Sequence, residues 1–423
     1  VQGLAPFAAD PLGIERNQPH ALMERFGLGQ PALRARLQRR HEVRARRAGV
    51  TLPVPDGPRP VVAIRAVERA GPTDPTARLA LQLHAEAGLA HLSVAVNGVP
   101  IAARPWPLAG TQADVIREVP LAIGRNRVEV DVVDQRGRAG GRAGVTVERS
   151  GEAPGDLYVV ALGVSDYADP RIPDLRFAHR DAEALGEALQ DATGFGAIHV
   201  RVFTDAEVGA GAVDVARSLL RQAGPDDTVV LFVAGHGLYD TADPPAFHAL
   251  THGSRLEDLP GTALAFDALE GLLAGVPAQR KLMLLDTCHS GERFDPVAPD
   301  PAAPPAPDSR RIVAVQAAPA LQIATAERLL HEDLARRTGA VVFSSSRGDE
   351  LSYERAELGH GVFTSAVLAA LRGGADGDGD RQITLDELAG FVTGEVSRLT
   401  EGRQHPTVDR DNRLADLRLP VLP

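Results

Sequence analysis

The only cysteine of this 423-residue chain, Cys288, lies just past an apolar run, Lys281-Leu282-Met283-Leu284-Leu285, within Asp286-Thr287-Cys288-His289-Ser290-Gly291. A second apolar run, Val229 to Val233, ends in Ala234-Gly235-His236-Gly237. Cysteine attacks as the thiolate, and a nearby imidazole supplies the base and lowers the thiol pKa. If the two runs are neighbouring strands, His236 and Cys288 face each other across the top of a sheet. The glycines around His236 keep that turn open to a substrate backbone. The backbone N–H groups of Gly237 and Cys288 are suited to a developing oxyanion. Alone, Cys288 reads as a small buried hydrophobe and His236 as an incidental turn residue. The pair at one topological level reads as nucleophile and general base. With one cysteine, no intrachain disulfide, Cys-pair zinc site or iron–sulfur cluster can be held by this chain alone.

A second set of residues has metal-ligand spacing. Asp376, Asp378 and Asp380 stand at positions one, three and five of an EF-hand-like loop, Gln382 offers a backbone carbonyl at seven, and Glu387 stands at twelve. The departure is Arg381, where the sharp turn normally takes glycine. Calcium is the expected ion; the bland alternative is an acidic turn between two helices.

These groups need a scaffold. The length implies two domains and a remainder. At 44% hydrophobic and 24% charged, the composition is globular. A net charge of −11 argues against nucleic acid as a whole-chain partner. Lys281 is the only lysine. No apolar run reaches the ~18 residues that span a bilayer. The chain begins at Val1, as a processed or truncated chain would, with no signal-peptide pattern behind it. Together with the lone cysteine this points to a reducing, cytoplasmic setting.

Residues 1–58 read as an arm with an arginine-rich helix from Pro31 to Val50 and a stiff proline linker. Residues 59–149 carry short alternating runs at Val61 to Val67, Ala77 to His84, His91 to Val96, Val115 to Leu121, Val128 to Val133 and Val145 to Glu148, which predict a small all-β immunoglobulin-like sandwich. From 156 to 419 the pattern is α/β. Strands are expected at Leu157 to Val164, Ile198 to Phe203, Val229 to Val233, Lys281 to Leu285 and Val341 to Ser344. Helices are expected at Phe177 to Gln190, Val208 to Gln222, Leu264 to Leu273 and Phe363 to Leu371. That alternation predicts a mostly parallel sheet flanked by helices, with ligands at the carboxyl ends of its strands. A proline-rich insertion at about 295–312 interrupts it.

The two boxes, Gly235-His236-Gly237 and Asp286 to Gly291, resemble the caspase/metacaspase clan of cysteine peptidases, in its bacterial caspase-like (orthocaspase-type) branch. The likeness extends over Ala161 to Tyr167 with Arg180-Asp181-Ala182, and over Ser344 to Glu350 with Gly359 to Thr364, or about 157–419 in all. It implies a caspase-like fold and an endopeptidase in which His236 is the base and Cys288 the nucleophile; His289 is the rival base. It also implies specificity. The clan's metacaspases carry an acid at the position of Asp286 and another matching Asp181, and cut after arginine or lysine. Two carboxylates in a concave pocket select a cation, and Asp349 is a third candidate. The loop after the nucleophile is implied as an activation site, with Arg310-Arg311 the expected cut and Arg336-Arg337 the runner-up. The implied partners are proteins with arginine at the cleaved position and a regulator docking on the sandwich or the arm. The competing class is a catalytically idle caspase-like adapter.

Overall fold

The computed structural model describes residues 18–27, 31–47, 50–52, 56–152, 154–240, 246–287, 338–347, 350–408 and 417–423. The chain divides near residue 153 into two compact units; short segments at 274–279 and 338–339 group with the first.

The first unit opens with helices α1 (Pro19–Arg25) and α2 (Pro31–Arg47), which pack on each other. Eight strands follow: β1 (Val61–Glu68), β2 (Thr76–His84), β3 (Leu89–Val96), β4 (Val99–Pro100), β5 (Trp106–Pro107), β6 (Gln112–Pro120), β7 (Gly124–Asp134) and β8 (Ala143–Arg149). They form two antiparallel sheets, β1-β2-β6 and β4-β3-β7-β8, with β5 paired to β3. Alternation does the work here. Leu79, Leu81 and Leu83 of β2 share one apolar core with Leu92, Val94 and Val96 of β3 and Val128, Val130 and Val132 of β7. Every second residue of a strand faces the same side, so β2 alternates buried and exposed residues, whereas β7 is buried on both faces from Val128 to Asp134.

The second unit is α/β. Its elements run β9 (Leu157–Gly163), α3 (Ala178–Gln190), β10 (Ile198–Thr204), α4 (Ala210–Leu220), β11 (Thr228–Gly235), β12 (Gly237–Tyr239), β13 (Phe247–Ala249), β14 (Leu264–Ala265), α5 (Phe266–Leu273) and β15 (Arg280–Thr287). After the undescribed stretch come β16 (Val341–Ser344), β17 (Glu354–Arg355), β18 (His360–Gly361), α6 (Val362–Ala369), β19 (Gln382–Thr384), α7 (Leu385–Leu399), β20 (Thr407–Val408) and β21 (Arg418–Pro420). The main sheet has the order β10-β9-β11-β15-β16-β20. Its first five strands are parallel, and β20 closes the edge antiparallel to β16.

Strands β9 and β11 are buried along their whole length, as near-continuous apolar runs covered on both faces must be. The chain steps from β9 to β10 in one direction and returns past β9 to β11. Right-handed crossovers therefore put α3 and α4 on opposite faces. The order reverses between β9 and β11, which opens a crevice at their carboxyl ends. At Gly163, the last residue of β9, a Cβ would stand 2.4 Å from the Ala178 carbonyl, so only glycine lets α3 approach so closely.

Two boundaries differ from expectation. Leu264 and Ala265 do not open α5 but form β14, pairing with β13 in a small antiparallel sheet. The last helix of the sheet layer leaves α geometry after Ala369 and passes into a π turn, Ala370–Gly374. Both are tertiary overrides of local apolar spacing. Among the described residues, no helix is long and apolar enough to cross a membrane.

Candidate active site

Strands β11 and β15 are neighbours. Their register pairs Ala234 with Asp286 and Gly235 with Thr287. The next residues in the chain are His236 and Cys288. Cys288, His289 and Ser290 lie outside the described residues, as do Asp349, Arg310, Arg311, Arg336 and Arg337.

His236 leaves β11 at the β9/β11 crevice and is 1% exposed. Its ring Nε2 stands 2.8 Å from the Pro173 carbonyl oxygen. A carbonyl can only accept, so Nε2 carries the hydrogen, and in the neutral ring Nδ1 carries the lone pair. The His236 backbone N–H donates to Tyr167 Oη at 2.9 Å, and the His236 carbonyl accepts from Leu250 at 2.9 Å. Gly237 opens β12 and pairs with Ala249 of β13. The hairpin β12–β13, absent from the sequence reading, thus fixes the chain directly after the imidazole.

Asp286, near the end of β15, is fully buried. Ser352 Oγ donates to its Oδ1 at 2.9 Å and Thr364 Oγ1, on α6, to its Oδ2 at 2.7 Å. Gln404 extends this network: its side-chain amide donates to the Ser345 carbonyl at 2.8 Å and to Ser352 Oγ at 3.2 Å. Asp181 is equally buried. Its Oδ1 meets His360 Nδ1 at 2.9 Å, and its two oxygens accept the Gly361 N–H at 3.2 and 3.1 Å. An isolated helix-start carboxylate would be a solvated residue; the packing of β18 against α3 makes Asp181 an interior one instead. Gly361 is the N-cap of α6 and Thr364 lies in its first turn. The two carboxylates therefore grip the same helix start, where N–H groups lack helical partners and the dipole favours anions. Glu354 does the same for α3, accepting the N–H groups of Arg176 at 2.9 Å and Phe177 at 3.1 Å.

Ser352, Thr364, Gln404, Pro173 and Tyr167 were not legible as site residues. Tyr167 and Thr364 fell in stretches that carry the family resemblance, but nothing local distinguished their hydroxyls.

The acidic loop lies away from the strand ends in sequence. Ligand oxygens of Asp376, Asp378 and Asp380 lie within 4.8 Å of one another. Asp376 accepts the N–H groups of Gly379 and Arg381, and Asp380 that of Gln382. Arg381 takes the left-handed turn itself, with φ +63°. Glu387 is occupied within the loop. Its Oε2 accepts the Thr384 N–H at 2.9 Å and the Thr384 hydroxyl at 2.7 Å, and its Oε1 accepts the Gly377 N–H at 3.1 Å. These bonds, the Thr384 N–H first, hold its carboxyl below the usual carboxylate pKa range. The residues present fit an oxygen-seeking cation: three converging carboxylates and a fourth within the same loop.

No family model matches the chain, and no curated protein matches it. Solved structures similar to it include caspase-1 from Spodoptera frugiperda, at 14% identity over 60% of this chain and 85% of that one, with a TM-score of 0.38. The structure titled pro-sf-caspase-1 aligns at 13% identity over 61% and 88%, with a TM-score of 0.37. A β-glucuronidase from Parabacteroides merdae aligns at 11% over 66% of this chain but 33% of its own, with a TM-score of 0.20. Superpositions this loose carry no argument about function.

Proposed function

We propose that the chain is a caspase-like cysteine endopeptidase that cuts after arginine, and less readily after lysine. One observation carries this reading: the register Gly235–Thr287 on adjacent parallel strands, after which the chain continues into His236 and Cys288. The Pro173 bond supports it further, because it leaves Nδ1 as the basic nitrogen. In the reaction, Nδ1 takes the Cys288 thiol proton as Sγ bonds to the scissile carbonyl carbon. The oxyanion is met by the N–H groups of Gly237 and Cys288. The proton then passes to the leaving amine as the C–N bond breaks, giving a thioester. Water, deprotonated by the same nitrogen, releases the acid and restores the thiol.

Asp286 and Asp181 supply the negative charge for a cationic side chain, and Asp349 is a third acid for the same pocket. We further propose that Arg310-Arg311, after the proline-rich insertion, is the activating cut. Asp376, Asp378, Asp380, the Gln382 carbonyl and Glu387 would hold calcium, whose charge offsets their mutual repulsion. The β-unit is proposed as an immunoglobulin-like docking module for a regulator.

The test is a reporter panel with arginine, lysine or aspartate at the cleaved position. Arginine turnover that vanishes in Cys288→Ala is expected; an inert wild type rejects the reading. A second reading is a catalytically idle adapter. It is favoured by the full engagement of Asp286 and Asp181 with groups of their own chain. Labelling of Cys288 by an arginyl electrophile excludes it.

A further inference from the structure

The segment between β9 and α3 closes on itself. Leu175 N–H donates to the Ser165 carbonyl at 2.8 Å, and Tyr167 N–H donates to Asp174 Oδ1 at 3.0 Å. Two groups of this loop reach His236 from different sides. The Pro173 carbonyl accepts the ring Nε2–H at 2.8 Å. Tyr167 Oη accepts the backbone N–H at 2.9 Å and donates its own hydrogen to the Val164 carbonyl at 3.0 Å. The Tyr167 ring also lies against the imidazole, with centroids 5.0 Å apart and planes tilted by 40°.

The approach depends on Gly235. Its φ of +150° is strained for a residue with a side chain, and a Cβ there would stand 3.1 Å from Tyr167 Oη and 3.3 Å from the Val164 carbonyl. The buried His236 N–H needs an acceptor. A water or a neighbouring strand would satisfy it without touching the ring. A tyrosine satisfies it and supports the imidazole face with the same side chain.

We propose that Tyr167 is a positioning residue for His236, its hydroxyl pinning the backbone and its ring the imidazole, so that Nδ1 meets the thiol in one orientation. Asp174, exposed on the loop, is the strut that holds the Tyr167 backbone. The proposal rests on the hydrolase reading, because only a reacting His236 has an orientation to protect.

The experiment uses the full chain and its single thiol. Arginine-reporter kinetics and the pH dependence of Cys288 alkylation by iodoacetamide are measured for wild type, Tyr167→Phe, Asp174→Ala and Asp174→Asn. Small errors of placement cost far more in rate than in stability, so Tyr167→Phe is expected to lower kcat about tenfold with KM within about twofold. Its alkylation profile is expected to move to higher pH, toward that of an unassisted thiol at ~8.5. Asp174→Ala is expected to lower kcat about threefold, and Asp174→Asn, which keeps an acceptor oxygen, to recover more than half of that loss. Wild-type kcat and alkylation profile in both Tyr167→Phe and Asp174→Ala overturn the proposal while the hydrolase reading stands. If Tyr167→Phe fails to fold, the surface pair Asp174→Ala and Asp174→Asn decides. An inert wild type whose alkylation ignores His236→Ala overturns the hydrolase reading and this one with it.

Discussion

Asp286 and Asp181 take their hydrogen bonds from residues 66, 78 and 180 positions away, and both are fully buried. Asp376, Asp378 and Asp380 are bonded within five positions, and two of the three are exposed. The first pair is built by the fold, the second set by its own loop. The contrast separates two uses of the same chemical group. A buried carboxylate must be given donors, because a bare one costs far more than its neighbours return. Its partners therefore become part of the site. An exposed carboxylate is solvated already, so its neighbours need only turn the backbone.

The sharpest way to break this contrast is at Asp286. Asp286→Asn keeps an acceptor for one of the two hydroxyls but removes the charge. It is expected to lower kcat/KM on an arginine reporter about 10²-fold, with little change on folding. Equal loss in both would make Asp286 a strut rather than a recognition group. The same strand tests the cost of burial with the opposite sign. Lys281, near the start of β15, is buried, and burial pushes its ammonium pKa down to about 7. Between pH 7 and about 10.4 the unfolded chain binds a proton that the folded chain does not. Stability should therefore rise with pH across that window. Lys281→Met is expected to remove that rise, read from urea titrations at several pH values.

Asp181→Ala strands the Gly361 N–H, and a cost of about 2 kcal/mol is expected in the urea midpoint. At the exposed set the effects are smaller. Calorimetry is expected to detect calcium at about 10⁻⁵ M or weaker, and no heat in Asp376→Ala. Arg381→Gly should tighten binding and raise stability by about 1 kcal/mol or less, since φ +63° strains arginine. The mildest effect is at Glu387. Its depressed pKa contributes stability above the unfolded value of about 4.3, lost as pH falls through the folded one. Glu387→Gln should flatten the decline in Tm between pH 6 and 3.

Legibility follows the same line. The acidic-loop residues were readable because their spacing is their geometry. His236 was readable because a polar Gly-His-Gly turn after five apolar residues has no use in a core. The longer strands, β1–β3, β6–β11, β15 and β16, were readable from alternation or continuous apolar runs, whereas the short pairs such as β12–β13 were not. The roles of Ser352, Thr364 and Gln404 were not, since a serine, a threonine and a glutamine carry no local sign of a carboxylate beside them. Nor was the embedding of Asp181. Helix position alone predicts a solvated first-turn acid, and the β18 strand that covers it comes 179 residues later.

The sequence by itself determined which residues are candidates for chemistry, the α/β period that carries them and the acidic loop. Hydrophobic period and ligand spacing act over a few residues, so they survive in a linear reading. Only the tertiary structure decided that β11 and β15 are neighbours in a register of Gly235 with Thr287, which nitrogen of His236 is basic, and what holds it there. Those depend on strand order and on single hydrogen bonds across long loops, whose partners are chosen by where the backbone arrives rather than by what precedes it.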